Sequence, residues 1–337
     1  MPFYQNIDPK TEWGKRTIDR LLKLREALRE IPERTQKGTL LLATWNIREF
    51  DSPKYGKRMD EAIYYIAEII DRFDLVAVQE VYKNLEGLER LMKILGGNWE
   101  YIFTDTTKGK SGNQERMAFL YDRRKVSFGG LAGELVLPSI TKDGKRQPVT
   151  QIARTPFICG FKSGWTRFML STVHIIWGED EAEPPERINE IRQVAQFLKE
   201  RTTDETAWAR NLILLGDFNI FEPDNATFKE LEKAGFVIPK EIREFPSNAP
   251  KTKHYDQIAF RVRKNSLDMT GKAGTFDFYK TVFKATAEDE ATYKSVMSPK
   301  YKDYRQWRTH QMSDHLPMWV ELKIDYSDEY LKSKLKH

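Results

Sequence analysis

Six polar interruptions of apolar runs are what this chain offers to chemistry. "ATWNI" ends in Asn46, "VAVQEV" carries Gln79 and Glu80, and "STVHII" holds His174. "NLILLGDFNI" delivers Gly216, Asp217, Phe218 and Asn219 at the end of an aliphatic run. "HYDQI" places Asp256 at the start of another run, and "MSDHLP" sets Asp314 and His315 just ahead of the last. Side chains alternate along a strand, so Asp217 and Asn219 share a side, and Gly216 lets the backbone turn or come close as the strand ends. Each interruption has a plain structural reading: Asp and Asn favour turns, a buried Glu can pair with a cation, and a lone His is commonly a satisfied polar residue. Six together are harder to dismiss, because buried carboxylates are costly unless a metal ion or a partner group meets them.

The elements that must position these residues mix strand and helix patterns. Residues 39–47 read as a buried strand, then Met59, Ala62, Ile63, Ile66, Ile70 and Phe73 form a helical stripe, and "DLVAVQEV" is the next strand. Leu85, Leu88, Leu91, Met92 and Leu95 make another helix, followed by the strands "WEYIF", "RMAFLYD", "PFICGF" and "TRFMLSTVHII". Ile188, Ile191, Val194, Ala195 and Leu198 form a helix ahead of the Asp217 strand, and "YDQIAFRV" and "LPMWVELKI" close the series. This order fits two facing mixed sheets with helices outside, an α/β (α+β) four-layer sandwich, although periodicity alone does not separate it from a doubly wound sheet. The expected division is an amphipathic helical extension over residues 1–38, one catalytic domain over 39–325, and a tail over 326–337.

Composition bounds the class. The chain is 40% hydrophobic and 31% charged, so a large core and a well-solvated surface are both available. No apolar run approaches the roughly 18 residues of a membrane span. The first residues lack the apolar region of a secretory signal, and the single Cys159 excludes an intramolecular disulfide, which together favour a cytoplasmic location. A formal charge of +5 permits an anionic partner without demanding one, and no obligate protein partner is implied.

Taken in order, Asn46, Gln79-Glu80, His174, Gly216-Asp217-Phe218-Asn219, Asp256 and Ser313-Asp314-His315 resemble the endonuclease/exonuclease/phosphatase superfamily, over residues 40–322. Within it the likeness is greatest to deoxyribonuclease I. "NIREF" looks like its first motif, with Arg48 as the basic residue, "ERMAFLY" is similar to the strand that presents Glu115, and "TFDFY" resembles a further segment. His174 stands where apurinic-site endonucleases usually show Tyr, and Tyr255-Asp256-Gln257 departs from the Trp-Cys-Asp-Arg run of inositol-phosphate 5-phosphatases. Residues 1–38 and 285–311 look like additions to the family pattern.

The resemblance implies phosphodiester hydrolysis of DNA with Mg²⁺, Mn²⁺ or Ca²⁺ being the alternatives. A phosphoesterase acting on lipid, inositol or nucleotide phosphates is the rival class, because this fold hosts many substrates. By resemblance, Glu80, Asn46 and Asp314 hold the metal. His315 with Asp256 serves as general base, His174 with Glu115 as general acid, and Asp217 and Asn219 position water and phosphate. Residues 291–311 interleave Tyr293, Tyr301, Tyr304 and Trp307 with Lys294, Lys300, Lys302, Arg305 and Arg308. Such interleaving suits nucleic acid, with Arg48, Lys302, Arg305 and Arg308 expected at phosphates and the aromatic faces on bases. The bland alternative is that these aromatics pack their loop onto the domain.

Overall fold

The structure is a computed structural model that describes residues 1–335 apart from 36, 51, 55 and 107–113. The last two residues of the expected tail therefore lie outside the described residues. In chain order the strands begin with β1 (Thr39–Phe50), β2 (Leu75–Tyr82), β3 (Trp99–Phe103) and β4 (Glu115–Asp122). They continue with β5 (Ser127–Glu134), a small hairpin of β6 (Ile140–Lys142) and β7 (Lys145–Gln147), β8 (Phe157–Ser163) and β9 (Thr166–His174). The last are β10 (Leu212–Asp217), β11 (Asp256–Arg261), β12 (Met269–Thr275) and β13 (Met318–Lys323). One sheet runs β12-β13-β1-β2-β4-β3 and the other β11-β10-β9-β8-β5. Both are mixed: β1 pairs parallel to β2 and β10 parallel to β9, while β13, β4, β8 and β11 join antiparallel.

Three apolar layers hold the sandwich together. Leu40, Leu42, Leu75, Ala77 and Phe119 of the first sheet face Phe161, Phe168, Leu170, Ile213 and Leu215 of the second. The outer face of the first sheet, with Leu41, Ala43, Trp45 and Val78, is covered by α1 (Glu12–Ala27), α2 (Asp60–Ile70) and α3 (Glu86–Leu95). The outer face of the second is covered by α4 (Pro185–Thr203) and α5 (Ala226–Lys233) through Ile191, Val194, Leu198 and Phe228. A short α6 (Lys240–Arg243) follows, then α7 (Ala287–Tyr293), α8 (Tyr304–Gln311) and a terminal α9 (Ser327–Lys334).

The N-terminal extension packs into the body of the protein. Thr11 caps α1 by accepting the Gly14 amide at 2.9 Å, and Leu21, Leu24, Leu28 and Ile31 sit in the outer core of the first sheet. Arg20 pairs with Asp289 of α7 at 2.7 Å, and the Arg16 and Arg20 guanidinium groups lie 5.0 and 5.2 Å from the Tyr293 ring. The two segments that look like additions thus pack on each other.

The aromatic residues of 291–311 correct one expectation. Tyr293, Tyr301, Tyr304 and Trp307 are all buried in the outer core, with Tyr293 and Trp307 ring centroids 4.9 Å apart. Their faces meet one another and the N-terminal arginines, so they are packing residues and not base-stacking surfaces. Burial of four large rings stabilises the segment far more than an exposed stack could.

Candidate active site

The alternation that builds the inter-sheet core also builds the site. Along β1, Leu40 and Leu42 face the second sheet, and two-residue steps bring Thr44 and then Asn46 to the same side. β2 repeats this with Leu75, Ala77 and Gln79, β9 with Leu170, Thr172 and His174, and β10 with Ile213, Leu215 and Asp217. Gln79 Nε2 donates to Thr172 Oγ1 at 2.8 Å and to Thr44 Oγ1 at 3.1 Å, forming a polar layer that joins the two sheets. Beyond that layer lie the ionisable groups. His174, Asp217 and Asp256 occupy one register row, and β4 contributes Glu115 from its first residue.

Backbone irregularities complete the cluster. The pairing of β2 shifts register between Val78 and Val81, and Glu80 adopts a φ of 61° inside that bulge. The bulge brings the Glu80 side chain, next in sequence to Gln79, onto Asn46 as well. Glu49 and Asn219 also hold positive φ, 42° and 53°, beside the site, where such strained conformations concentrate. Gly216 sits at φ 132°, and a Cβ there would lie 2.1 Å from the Val173 carbonyl oxygen, so only glycine lets β10 run this close to β9.

Asp217 is the centre. Its Oδ2 accepts from Asn46 Nδ2 at 2.9 Å and lies 3.6 Å from His174 Nε2 and 3.7 Å from His315 Nε2. Each imidazole has its own outer carboxylate: His315 Nδ1 meets Asp256 Oδ2 at 2.8 Å, and His174 Nδ1 makes an ion-pair contact with Glu115 Oε1 at 3.3 Å. Asn46 Nδ2 also donates to Glu80 Oε1 at 2.9 Å, and the Glu49 amide donates to Glu80 Oε2 at 2.6 Å. Ser313 ties the last loop down: its hydroxyl donates to the Asn46 carbonyl at 2.6 Å and accepts from the Arg48 and His315 amides.

Charges follow from these neighbours. Burial disfavours both imidazolium ions, yet Asp256 and Asp217 outweigh it and hold His315 well above its ordinary value. Burial likewise opposes charge on His174, and Glu115 and Asp217 raise it in spite of Arg154. Burial would lift the Asp217 carboxyl, but His315 and His174 keep it below the usual carboxylate range. Glu80 is raised, by burial and by the charge of Glu115.

The donor set suits a divalent cation. With Asn46 Nδ2 committed to two carboxylates, its buried Oδ1 has no hydrogen-bond partner among the described residues, leaving an oxygen donor beside Glu80. One ligand atom from each of Glu80, Glu115 and His174 lies within 4.8 Å of the others. Hard cations such as Mg²⁺ take oxygen ligands of this kind. Asp314 stands at the rim, its side chain 45% exposed and 3.7 Å from Arg48 Nε.

The remaining residues expected from the sequence sit around this centre. Asn219 turns inward, its amide donating to the Ile175 carbonyl at 2.8 Å and its backbone N–H to Asp217 Oδ1 at 2.9 Å. Arg48 donates to Thr309 Oγ1 of α8 at 2.6 Å. Lys302, Arg305 and Arg308 line a cleft of about 1030 Å³ together with Arg48, Tyr255 and His315. Lys302 and Arg305 are exposed, whereas Arg308 lies 4.1 Å over the Tyr279 ring and donates to the Phe283 carbonyl. Arg154 is a site residue that sequence reasoning missed. It is buried, hydrogen-bonds Glu115 through Nε, and keeps Nη1 without a partner among the described residues. It lies outside any strand, in "ARTPF", and only its place just before the apolar run "PFICGF" could have drawn attention to it.

Fold and site together define a class: a two-sheet α/β sandwich whose acids and imidazoles gather at one end of the facing strands. The profile of the Endonuclease/Exonuclease/phosphatase family matches residues 43–276, and the chain belongs to that family. A deoxyribonuclease of Thioalkalivibrio sp. (strain K90mix) is 30% identical over 187 residues, 54% of this chain and 46% of the relative. Deoxyribonuclease-1 of Rattus norvegicus is 27% identical over 194 residues, 54% of this chain and 61% of the relative. The chain thus spans about half the length of the curated relatives it matches. Among solved structures, the human Nocturnin catalytic domain with bound sulfate anion superposes with a TM-score of 0.55 at 15% identity, covering 84% of this chain and 94% of that one. That likeness bears on the fold. Among the described residues no helix is long and apolar enough to cross a membrane.

Proposed function

We propose that the chain is a divalent-metal-dependent phosphodiesterase that cuts DNA as an endonuclease, with Mg²⁺ as the expected ion. The observation that carries this reading is the arrangement around Asp217: two imidazoles within 3.7 Å of one carboxylate oxygen, each backed by a carboxylate of its own, beside the Asn46–Glu80 pair. Two rings so placed can divide the proton transfers of a displacement at phosphorus. His315, oriented by Asp256, takes the proton of the attacking water in its neutral form, which its raised pKa shifts to more alkaline pH, and His174, held by Glu115, gives one to the leaving oxygen. Asp217 stabilises the charged form of both rings, and the Asn219 backbone N–H holds the Asp217 carboxylate in place.

Glu80 and Asn46 would hold the metal, with Asp314 at the rim. Bound there, the ion would neutralise charge on the phosphoryl oxygens and favour ionisation of water. Arg154 adds a fixed positive group aimed at the same region. Arg48, Lys302, Arg305 and Arg308 then meet the phosphates on either side of the scissile one. The deoxyribonuclease relatives support DNA as the substrate, and the basic cleft beside His315 suits a polyanion.

A substrate panel tests this reading. Supercoiled plasmid, single-stranded DNA, RNA, phospholipid and inositol phosphates are each incubated with the full chain, with Mg²⁺ and with chelator. The expected outcome is nicking of plasmid with Mg²⁺ alone. Hydrolysis of phospholipid or inositol phosphate with no cutting of DNA would overturn it.

A further inference from the structure

Past His174 the chain enters a surface loop that is held with unusual thoroughness. Glu190 of α4 accepts the Ile176 amide at 2.9 Å. Arg187, also of α4 and fully buried, donates to the carbonyls of Trp177, of Ile176 and Glu179 at 3.4 Å, and of Glu181 at 3.0 Å. Burying a guanidinium is costly unless its donors are met, and here backbone oxygens of a single loop meet them. The loop presents Trp177, 36% exposed, and the exposed acids Glu179, Asp180 and Glu181 after it, whereas Ile175 two residues before the tryptophan is wholly buried.

Trp177 is not isolated. Its ring centroid lies 5.5 Å from Phe221 and 5.5 Å from Tyr255, in an edge-on contact with the latter, and Tyr255 is 5.4 Å from the His315 imidazole. The Lys253 ammonium sits 4.0 Å from the Phe221 ring. A line of rings therefore leads from the reacting centre out to Trp177, with a cation alongside. Two ring contacts from His315 is a span that one nucleotide bridges.

We propose that Trp177, backed by Phe221 and Tyr255, is the platform on which the base next to the scissile phosphate stacks, with Lys253 at a neighbouring phosphate. This rests on the reading of the chain as a DNA phosphodiesterase. Base–aromatic stacking tolerates any base, so the subsite confers no sequence preference. A base lying on Trp177 has left its own stack, so the subsite favours single-stranded or locally opened DNA over intact duplex.

Binding of fluorescent single strands is measured by anisotropy in chelator, where no strand is cut. One strand carries all its bases and a second carries abasic linkers on the same backbone. Trp177→Ala should weaken binding of the first about tenfold, leave the second unchanged, and leave the chain folded, while Trp177→Phe retains most of the affinity. Unchanged binding of the base-bearing strand, or an equal loss on both strands, overturns the stacking subsite. If the wild-type chain binds neither strand and cuts no DNA with Mg²⁺, the functional reading itself falls.

Discussion

The two ends of the first sheet both bury charge, and they do it differently. At the end away from the site, Asp74 Oδ1 accepts from Arg34 Nε at 2.7 Å and Oδ2 from the Leu41 amide at 2.8 Å, with Lys125 Nζ at 3.3 Å. Asp122 accepts from Arg34, from the Arg124 guanidinium and from the Arg124 amide. Every carboxylate oxygen there is met by a donor. At the site end the acids face imidazoles and each other, and Asn46 Oδ1 and Asp256 Oδ1 have no hydrogen-bond partner among the described residues. A saturated cluster has done its work once the chain is folded. An unsaturated one, held in place by a polar layer and a strained bulge, is prepared for something that arrives later.

Mutation should separate the two ends cleanly. At the site end, His315→Ala should lower turnover about 10²–10⁴-fold, far more than the stability lost with the Asp256 pair explains in a variant that is still folded. His174→Ala should lose comparably on DNA but much less on a nitrophenyl phosphodiester, whose leaving group needs no proton. Equal losses for both variants on both substrates would refute this division of roles. At the saturated end, Arg34→Met should do the reverse. Breaking a buried pair costs about 3–5 kcal/mol, and Arg34 is 21% exposed, so a loss of about 2–3 kcal/mol, seen as a melting temperature roughly 3–4 °C lower, should come with unchanged turnover per folded molecule.

Acid sharpens the contrast. Burial would raise Asp122, but Arg124 and Arg34 bring it down to about 2, so its stabilisation is complete above the ordinary carboxylate value and is lost only as pH falls from about 4 towards 2. His310 of α8, on the site side, is lowered to about 2 by burial and by the charges of Arg58 and Arg48. It stays neutral in the fold while the unfolded chain takes up a proton below the ordinary imidazole value near 6.5. Stability should therefore fall by about 1.4 kcal/mol per pH unit below that point, and His310→Gln should remove this slope between pH 6.5 and 5. An identical slope in the variant would place the acid sensitivity elsewhere.

The smallest effect concerns the cleft. A triple change of Lys302, Arg305 and Arg308 to Ala should raise KM for DNA and reduce the salt slope by up to about 3, with turnover of a small diester barely altered. An unchanged salt slope would mean that these cations are only solvated surface.

Much of this was legible in the chain. The consecutive aliphatic runs announced buried strands and the polar residues that end them announced the site, but with aliphatics on both faces of β1, β9 and β10 only the fold decides which face carries Asn46, His174 and Asp217. The N-terminal helix declared most of its buried side through Leu21, Leu24, Leu28 and Ile31, whereas Leu22, of the same apolar stripe, is 64% exposed. The bulge at Glu80 was hidden, since a positive φ at a glutamate leaves no mark in composition. Arg154 was hidden because a loop has no period. For Tyr301, Tyr304 and Trp307 the sequence left stacking and packing both open, and their burial in the outer core decides for packing.

The most direct test of the account is hydrolysis by Glu80→Gln over a range of Mg²⁺ concentrations, beside the wild-type chain with Mg²⁺ and with chelator. The substitution removes one charge and almost no volume from the unsaturated end. The expected result is wild-type nicking of plasmid that chelator abolishes, and a folded variant whose rate at saturating Mg²⁺ is lower by about 10²–10³-fold, as for loss of a group that stabilises transition-state charge. Full activity in folded Glu80→Gln, or wild-type activity indifferent to chelator, would contradict it.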